Sequence, residues 1–209
     1  KLSWKSYRNR IFDSDGIRLF AGENSDIPLK AFYAEIDLSS PNIDVEVVSG
    51  NDDDLKETPS QIAERLNACL VVNGGYFWMD KNPAKHVGLL KTRDTTISGP
   101  LISVLRKGKR YYTTRGTIGF SKDSVDISWV SGRKDTLFSF QNSLNNQVNK
   151  PPAILDFKKG THWEVESAIS GGPVLVQNNS IFVTDEEEVF FGSKIPDIHP
   201  RTAIGYTEE

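Results

Sequence analysis

The sequence predicts a β-rich α+β fold, a single domain of mostly antiparallel sheet with few short helices. Three observations point there. Many short runs alternate apolar and polar residues between turn clusters. One segment, residues 58–66, carries a convincing helical signature. No glycine-rich phosphate loop opens a long helix, which counts against a nucleotide-binding α/β fold. The chain's 209 residues are ample for one core.

Residues 1–30 read as a polar N-terminal extension, with weak alternation only at Ile17, Leu19 and Phe20. A domain is expected over 31–209. Phe32 to Leu38 alternates and runs into the turn cluster Ser39-Ser40-Pro41-Asn42. Ile43, Val45 and Val47 then alternate with Asp44 and Glu46, as a half-buried antiparallel strand does. Asn51 to Asp54 lacks the ligand spacing of an EF-hand and reads as a solvated acidic loop. Thr58-Pro59-Ser60-Gln61 starts a helix by capping box and first-turn proline, with Ile62 and Leu66 as its buried stripe. Ala68 to Val72 is an unbroken apolar run, expected as a central strand buried on both faces and ending at Asn73-Gly74-Gly75. Strands are expected near 101–105, 109–113, 117–120 and 125–130, with hairpin turns at Gly108 and at 121–124. Residues 139–149 read as a long loop closed by Pro151-Pro152, and Trp163 with Val165 as the start of another strand. Gln177 to Ser180 joins two apolar runs as a hairpin, and Asp185 to Glu188 reads as a solvated edge or turn.

Composition removes several function classes. The formal net charge of −3 gives no electrostatic reason to bind nucleic acid or an anionic membrane. No apolar run is long enough to span a bilayer, so no transmembrane segment is expected. Lys1-Leu2-Ser3-Trp4 is no signal peptide, although a mature chain would have lost one. Cys69, the only cysteine, has no partner for an internal disulfide and reads as a small core residue. The histidines are far apart, so neither a metal site nor a cofactor is expected. No Gly-x-Ser-x-Gly elbow occurs, and Ser170 has no evident base. His86 reads as structural more readily than as a substrate contact.

Three motifs stand out: Asn73-Gly74-Gly75-Tyr76-Phe77, then Gly171-Gly172-Pro173-Val174-Leu175-Val176, then His199-Pro200-Arg201-Thr202-Ala203-Ile204-Gly205. In this order they resemble the phosphodiester glycosidase family, which includes the catalytic domain of the enzyme that uncovers mannose 6-phosphate on lysosomal hydrolases. The resemblance implies a hydrolase acting on a sugar-1-phosphodiester such as that of N-acetylglucosamine, in a bacterial envelope, periplasmic or secreted setting. Members of that family continue into a helix and an Asp-Gly-Gly-Gly-Ser segment; any site group there lies outside the residues up to Glu209.

The residue types suit that chemistry. Arg201 presents a planar fork of donors that matches phosphate, and Thr202 adds a hydroxyl. Backbone N–H groups near Gly74, Gly75, Gly171 and Gly172 can hold an oxygen anion. Tyr76 lies among them as a substrate contact, and the Asn73 amide can meet a substrate hydroxyl or acetamido group. A phosphate leaves more readily than a sugar alkoxide, so charge stabilisation lowers the demand on a general acid. His199 is a candidate proton carrier or phosphate donor. A carboxylate is still wanted beside the anomeric carbon. Glu166 and Glu35 are both candidates, and the family's downstream Asp is a third. The alternative function is a non-catalytic glycan- or peptidoglycan-binding module, in which Tyr76, Trp78 and Trp163 would stack on sugar rings.

Overall fold

The computed structural model describes residues 2–6, 16–93, 95–122, 124–195 and 197–207. They form two compact units. The first comprises Lys1–Val45 with Ser60–Val71, the second Glu46–Pro59 with Val72–Glu209.

In the first unit, β1 (Ser3–Ser6), β2 (Ile17–Asn24) and β3 (Leu29–Ile36) make a three-stranded antiparallel sheet in chain order. β3 pairs with β2 along its whole length, from Leu29 opposite Asn24 to Ile36 opposite Ile17. The sheet is stitched by aromatic contacts. The Phe20 and Tyr33 rings stack at 4.5 Å, and Trp4 meets Tyr33 edge-on at 4.9 Å. The polar early sequence hid β1 and most of β2 because one face of so thin a sheet stays wet. The expected strand at 43–47 makes no ladder. The helix α1 (Pro59–Leu66) forms where the capping signature placed it, yet none of its residues is fully buried. Leu66 is exposed, so the expected buried stripe is only partial.

The second unit is built on antiparallel ladders throughout. Its strands are β4 (Phe77–Trp78), β5 (Lys85–His86), β6 (Leu90–Lys91), β7 (Thr96–Ser98), β8 (Ser103–Arg106), β9 (Lys109–Tyr112), β10 (Arg115–Ser121), β11 (Ser124–Arg133), β12 (Thr136–Phe140), β13 (Thr161–His162), β14 (Ser167–Ser170), β15 (Val176–Gln177) and β16 (Ser180–Ile181). Seven of them form one sheet in the order β13-β12-β11-β10-β14-β6-β7. β4 with β5, β8 with β9 and β15 with β16 are separate hairpin ladders. Two of these hairpins turn through paired left-handed residues, Lys107-Gly108 and Asn178-Asn179, the geometry of tight primed turns. The expected strands near 101–105, 109–113, 117–120 and 125–130 are present with shifted ends, and β12 occupies part of the stretch read as a loop. The fold is therefore β-rich and mostly antiparallel, with a single α-helix among the described residues.

β10 is the central strand, buried from Arg115 to Gly119. A β-carbon at Gly119 would lie 2.5 Å from the Trp163 ring, so glycine lets that indole cover the strand. Leu89, Val130, Trp163 and Ala168 form the core beside it. Trp163 donates from Nε1 to Asp126 Oδ2 at 2.8 Å, which places it in the core and away from any sugar-stacking role.

The apolar run from Ala68 to Val72 is not the central strand. Residues 68–74 make no ladder, Cys69 and Val72 are exposed, and the position beside β14 is filled by β10 and β6. Hydrophobic content fitted either segment; the pairing went to Leu90-Lys91, whose Leu90 is wholly buried. Likewise residues 201–207, which hold the Ala203-Ile204 pair of the third motif, are exposed and outside any strand.

Candidate functional site

The site is assembled at the C-terminal end of β14. Ser170 is buried there, bonded to the Thr117 hydroxyl at 2.8 Å and accepting from the Leu89 N–H at 3.1 Å. It thereby ties β14 to β10 and to the Leu89 backbone. The chain then passes through Gly171 and Gly172. Gly171 donates its N–H to the Gly116 carbonyl at 2.9 Å, so that N–H is already used and does not face an anion as expected. Gly172 has φ +82°, a left-handed conformation that favours glycine, and its missing side chain leaves room for the Glu188 carboxylate.

Gly74 and Gly75 lie against the same strand end. A β-carbon at Gly74 would strike the Ile169 side chain, and one at Gly75 would strike the Ser170 carbonyl oxygen. Gly75 is explained by this close approach to backbone, and Gly74 by the Ile169 side chain packed against it. The next residue, Tyr76, reaches across and donates its hydroxyl to the Gly172 carbonyl at 2.9 Å. Burial raises the Tyr76 pKa, and the nearby guanidinium groups of Arg115 and Arg201 oppose that shift.

Two side chains that the sequence reading passed over complete the site. Glu188, placed in a solvated acidic turn, is wholly buried. Its Oε2 accepts from the Gly116 N–H at 2.9 Å. Its Oε1 accepts from the Val174 N–H at 2.9 Å, the Thr184 hydroxyl at 2.6 Å and Trp129 Nε1 at 3.1 Å. A carboxylate leaves water only with such a set of donors. It ties β10, β11 and the start of the β15–β16 hairpin to one turn. The second is Arg115, buried at the start of β10 with its guanidinium carbon 3.9 Å from the centre of the Phe190 ring. Burial lowers the Arg115 pKa to about 10, with Glu188 opposing the shift and Arg106 adding to it.

A signal for Arg115 was available. Arg115-Gly116-Thr117-Ile118-Gly119-Phe120 and Arg201-Thr202-Ala203-Ile204-Gly205-Tyr206 share the pattern Arg-x-x-Ile-Gly-aromatic. Glu188 had none, since a burying turn and a wet one have the same acidic composition.

The sequence-derived residues divide accordingly. Gly74, Gly75, Tyr76, Gly171 and Gly172 are gathered at one strand end. Asn73 adjoins them and is exposed. Arg201 is near enough to act on Tyr76, and its Nη2 donates to the Ile195 and Asp197 carbonyls, each at 2.5 Å. His199 and Thr202 flank it on the exposed segment. Glu166 does not join the group. It precedes β14 while Gly171 follows it, roughly 16 Å away along an extended chain; it is exposed, and its carbonyl accepts from Lys91 Nζ at 2.6 Å. Glu35 lies on β3 in the first unit, paired with Arg18 at 2.5 Å. Among the described residues, no three His, Cys, Asp or Glu side chains are grouped to hold a metal ion.

What this arrangement offers is glycine backbone and guanidinium groups around an aromatic floor, a set suited to an oxyanion. The sequence model of the family described as phosphodiester glycosidase matches residues 67–209, a span that takes in all three motifs and every residue of the strand-end cluster. No curated protein and no solved structure matches the chain. With more than half of its length matched, the chain belongs to the phosphodiester glycosidase family.

Proposed function

We propose that this protein is a glycosidase that hydrolyses a sugar-1-phosphodiester bond, of the N-acetylglucosamine-1-phosphodiester kind, on an envelope or extracellular glycan. The observation that carries this reading is the gathering of Gly74 and Gly75 against Ile169 and Ser170 at the end of β14, where Tyr76 reaches Gly172, with Arg115 and Arg201 close enough to act on the tyrosine hydroxyl. Phosphate oxygens sit among these donors, and the sugar extends past Asn73. Water attacks the anomeric carbon, the C–O bond to phosphate breaks, and the electron pair leaves with the phosphate. Guanidinium charge stabilises that leaving group, so protonation need not run ahead of bond cleavage. His199 on the exposed edge carries the proton released by the water.

Hydrolysis of N-acetylglucosamine-1-phosphodiester by the full-length protein in heavy-oxygen water tests this. The label is expected on the sugar. Label on the phosphate, or no turnover of any sugar-1-phosphodiester, removes the reading. Asn73→Ala is expected to lower catalytic efficiency about tenfold through loss of a substrate hydrogen bond, while the melting temperature stays put because the side chain is exposed.

The placement of Glu166 away from the cluster favours a second reading, a non-catalytic glycan- or peptidoglycan-binding module. The exposed indole of Trp78, two residues past Tyr76, would then stack on a sugar. Calorimetry with sugar phosphates, followed by product analysis of the same samples, separates the two. Product that grows with protein concentration excludes the binding module.

A further inference from the structure

The described residues include two fully or almost fully buried charged side chains in this unit, and the fold treats them differently. Glu188 receives four hydrogen bonds. Arg115, at 6% exposure, keeps Nη1 buried with no hydrogen-bond partner. We propose that Arg115 is the phosphate-binding cation of this site, its guanidinium seated on the Phe190 ring and its unpartnered Nη1 available to a phosphate oxygen. The inference rests on the proposed phosphodiester site and names the group that grips its anion.

Leaving a charged donor buried and unmet is unfavourable, and native folds rarely keep one without a use. Glu188 is the nearby carboxylate that acts on Arg115, and its oxygens are already taken by Gly116, Val174, Thr184 and Trp129. Arg106 adds a second positive charge that acts on Arg115, while its Nε and Nη2 are held by the Phe191 and Val189 carbonyls. Burial holds the Arg115 pKa down near 10, and an entering phosphate reverses that shift by pairing the cation. Phe190 covers one face of the guanidinium, whose N–H donors lie in the plane of the fork and not along that face. Tyr76 lies 6.0 Å from the same ring, beside the Gly172 carbonyl that it holds.

Arg201 is placed differently. Its guanidinium is exposed and donates from Nη2 to two carbonyls of its own segment. Water screens an exposed cation, whereas a buried one acts at low dielectric. Arg201 is thus the outer cation and Arg115 the inner one.

The test titrates inorganic phosphate and, separately, N-acetylglucosamine-1-phosphate into the full-length protein by calorimetry, with melting temperatures measured alongside. Arg115→Met keeps the length and apolar stem; it is expected to weaken both ligands about 10- to 100-fold and to leave the ligand-free melting temperature unchanged or higher. Arg115→Lys, which keeps charge and fold but not the fork, is expected to weaken binding several-fold. Arg201→Ala is expected to cost less than Arg115→Met. Wild-type affinity in folded Arg115→Met or in Arg115→Lys, or no phosphate binding by the wild type, overturns the inference. So does a larger loss in Arg201→Ala. Diester hydrolysis is scored separately. Arg115-dependent phosphate binding without turnover removes the glycosidase reading and keeps this one, and turnover with Arg115-independent affinity does the reverse.

Discussion

The Tyr76 hydroxyl donates to the carbonyl of Gly172, a residue 96 positions further along the chain, at 2.9 Å. The bond fixes the segment after the glycine pair onto the turn that follows β14. Tyr76→Phe keeps the ring and deletes the bond. It is expected to lower stability by about 0.5–1.5 kcal/mol, read as a shift of the urea midpoint at constant slope, and to lower diester hydrolysis because the strand-end cluster loosens. An unchanged midpoint together with unchanged turnover would make the bond incidental.

Gly74 and Gly75 meet different neighbours, so the same substitution should separate them. An alanine methyl at Gly74 meets the tip of Ile169, a side chain that can turn away. One at Gly75 meets the Ser170 carbonyl, which belongs to the sheet and cannot. Gly75→Ala is expected to cost at the upper end of the roughly 1–3 kcal/mol typical of overpacking, and Gly74→Ala at the lower end. Ile169→Val added to Gly74→Ala should recover part of the loss and do nothing for Gly75→Ala. Thermal melts of the four proteins give the comparison.

Glu188 is expected to behave unlike its acidic neighbours. Glu188→Gln places an amide N–H₂ where a carboxylate oxygen now accepts, so at least one buried donor among Gly116, Val174, Thr184 and Trp129 loses its partner. The cost is expected to be about 1.5–3 kcal/mol. Glu187→Gln, in a partly exposed position, should stay within about 0.5 kcal/mol. Equal melting temperatures for the two variants would show that the turn tolerates loss of its buried charge.

His86 on β5 gives the stability a pH dependence. Burial lowers its pKa below the ordinary 6.5, so the unfolded chain binds the proton more readily than the folded one. Its contribution is full above pH 6.5, is lost as pH falls from there through the lowered folded value, and levels off below that. His86→Asn should flatten this part of the stability–pH curve. Chemical denaturation of both proteins at a series of pH values checks it, and an identical slope in the variant would assign the dependence to another group.

The family, the β-rich character and the α1 start were legible because local chemistry carries them. Thr58-Pro59 marks a helix start in any context, and Asn178-Asn179 and Lys107-Gly108 mark turns. Which apolar run becomes the buried strand was not legible. Ala68–Val72 is the more apolar segment, yet Leu90-Lys91 pairs with β14, and sheet neighbours are chosen by contacts distant in sequence. The glycine and tyrosine part of the site was readable from the motifs. Arg115 was missed although its segment repeats the Arg-x-x-Ile-Gly-aromatic pattern of Arg201, because a cation opening a strand reads as solvated until a ring such as Phe190 is known to lie beside it. Glu166 looked suitable by its place before Gly171-Gly172, but β14 separates its two ends by its full length.

The hydrogen bonds that tie Tyr76 to Gly172, Gly116 to Glu188 and Trp129 to Glu188 span 96, 72 and 59 residues. Closing such long loops costs chain entropy before any contact compensates it, which slows folding. During synthesis the first glycine pair emerges long before the turn that holds Glu188 and Phe190. A nascent chain can therefore complete its early hairpins and still lack the strand-end cluster. The strand-end cluster is completed late, once the turn that carries Glu188 and Phe190 has been made and docks.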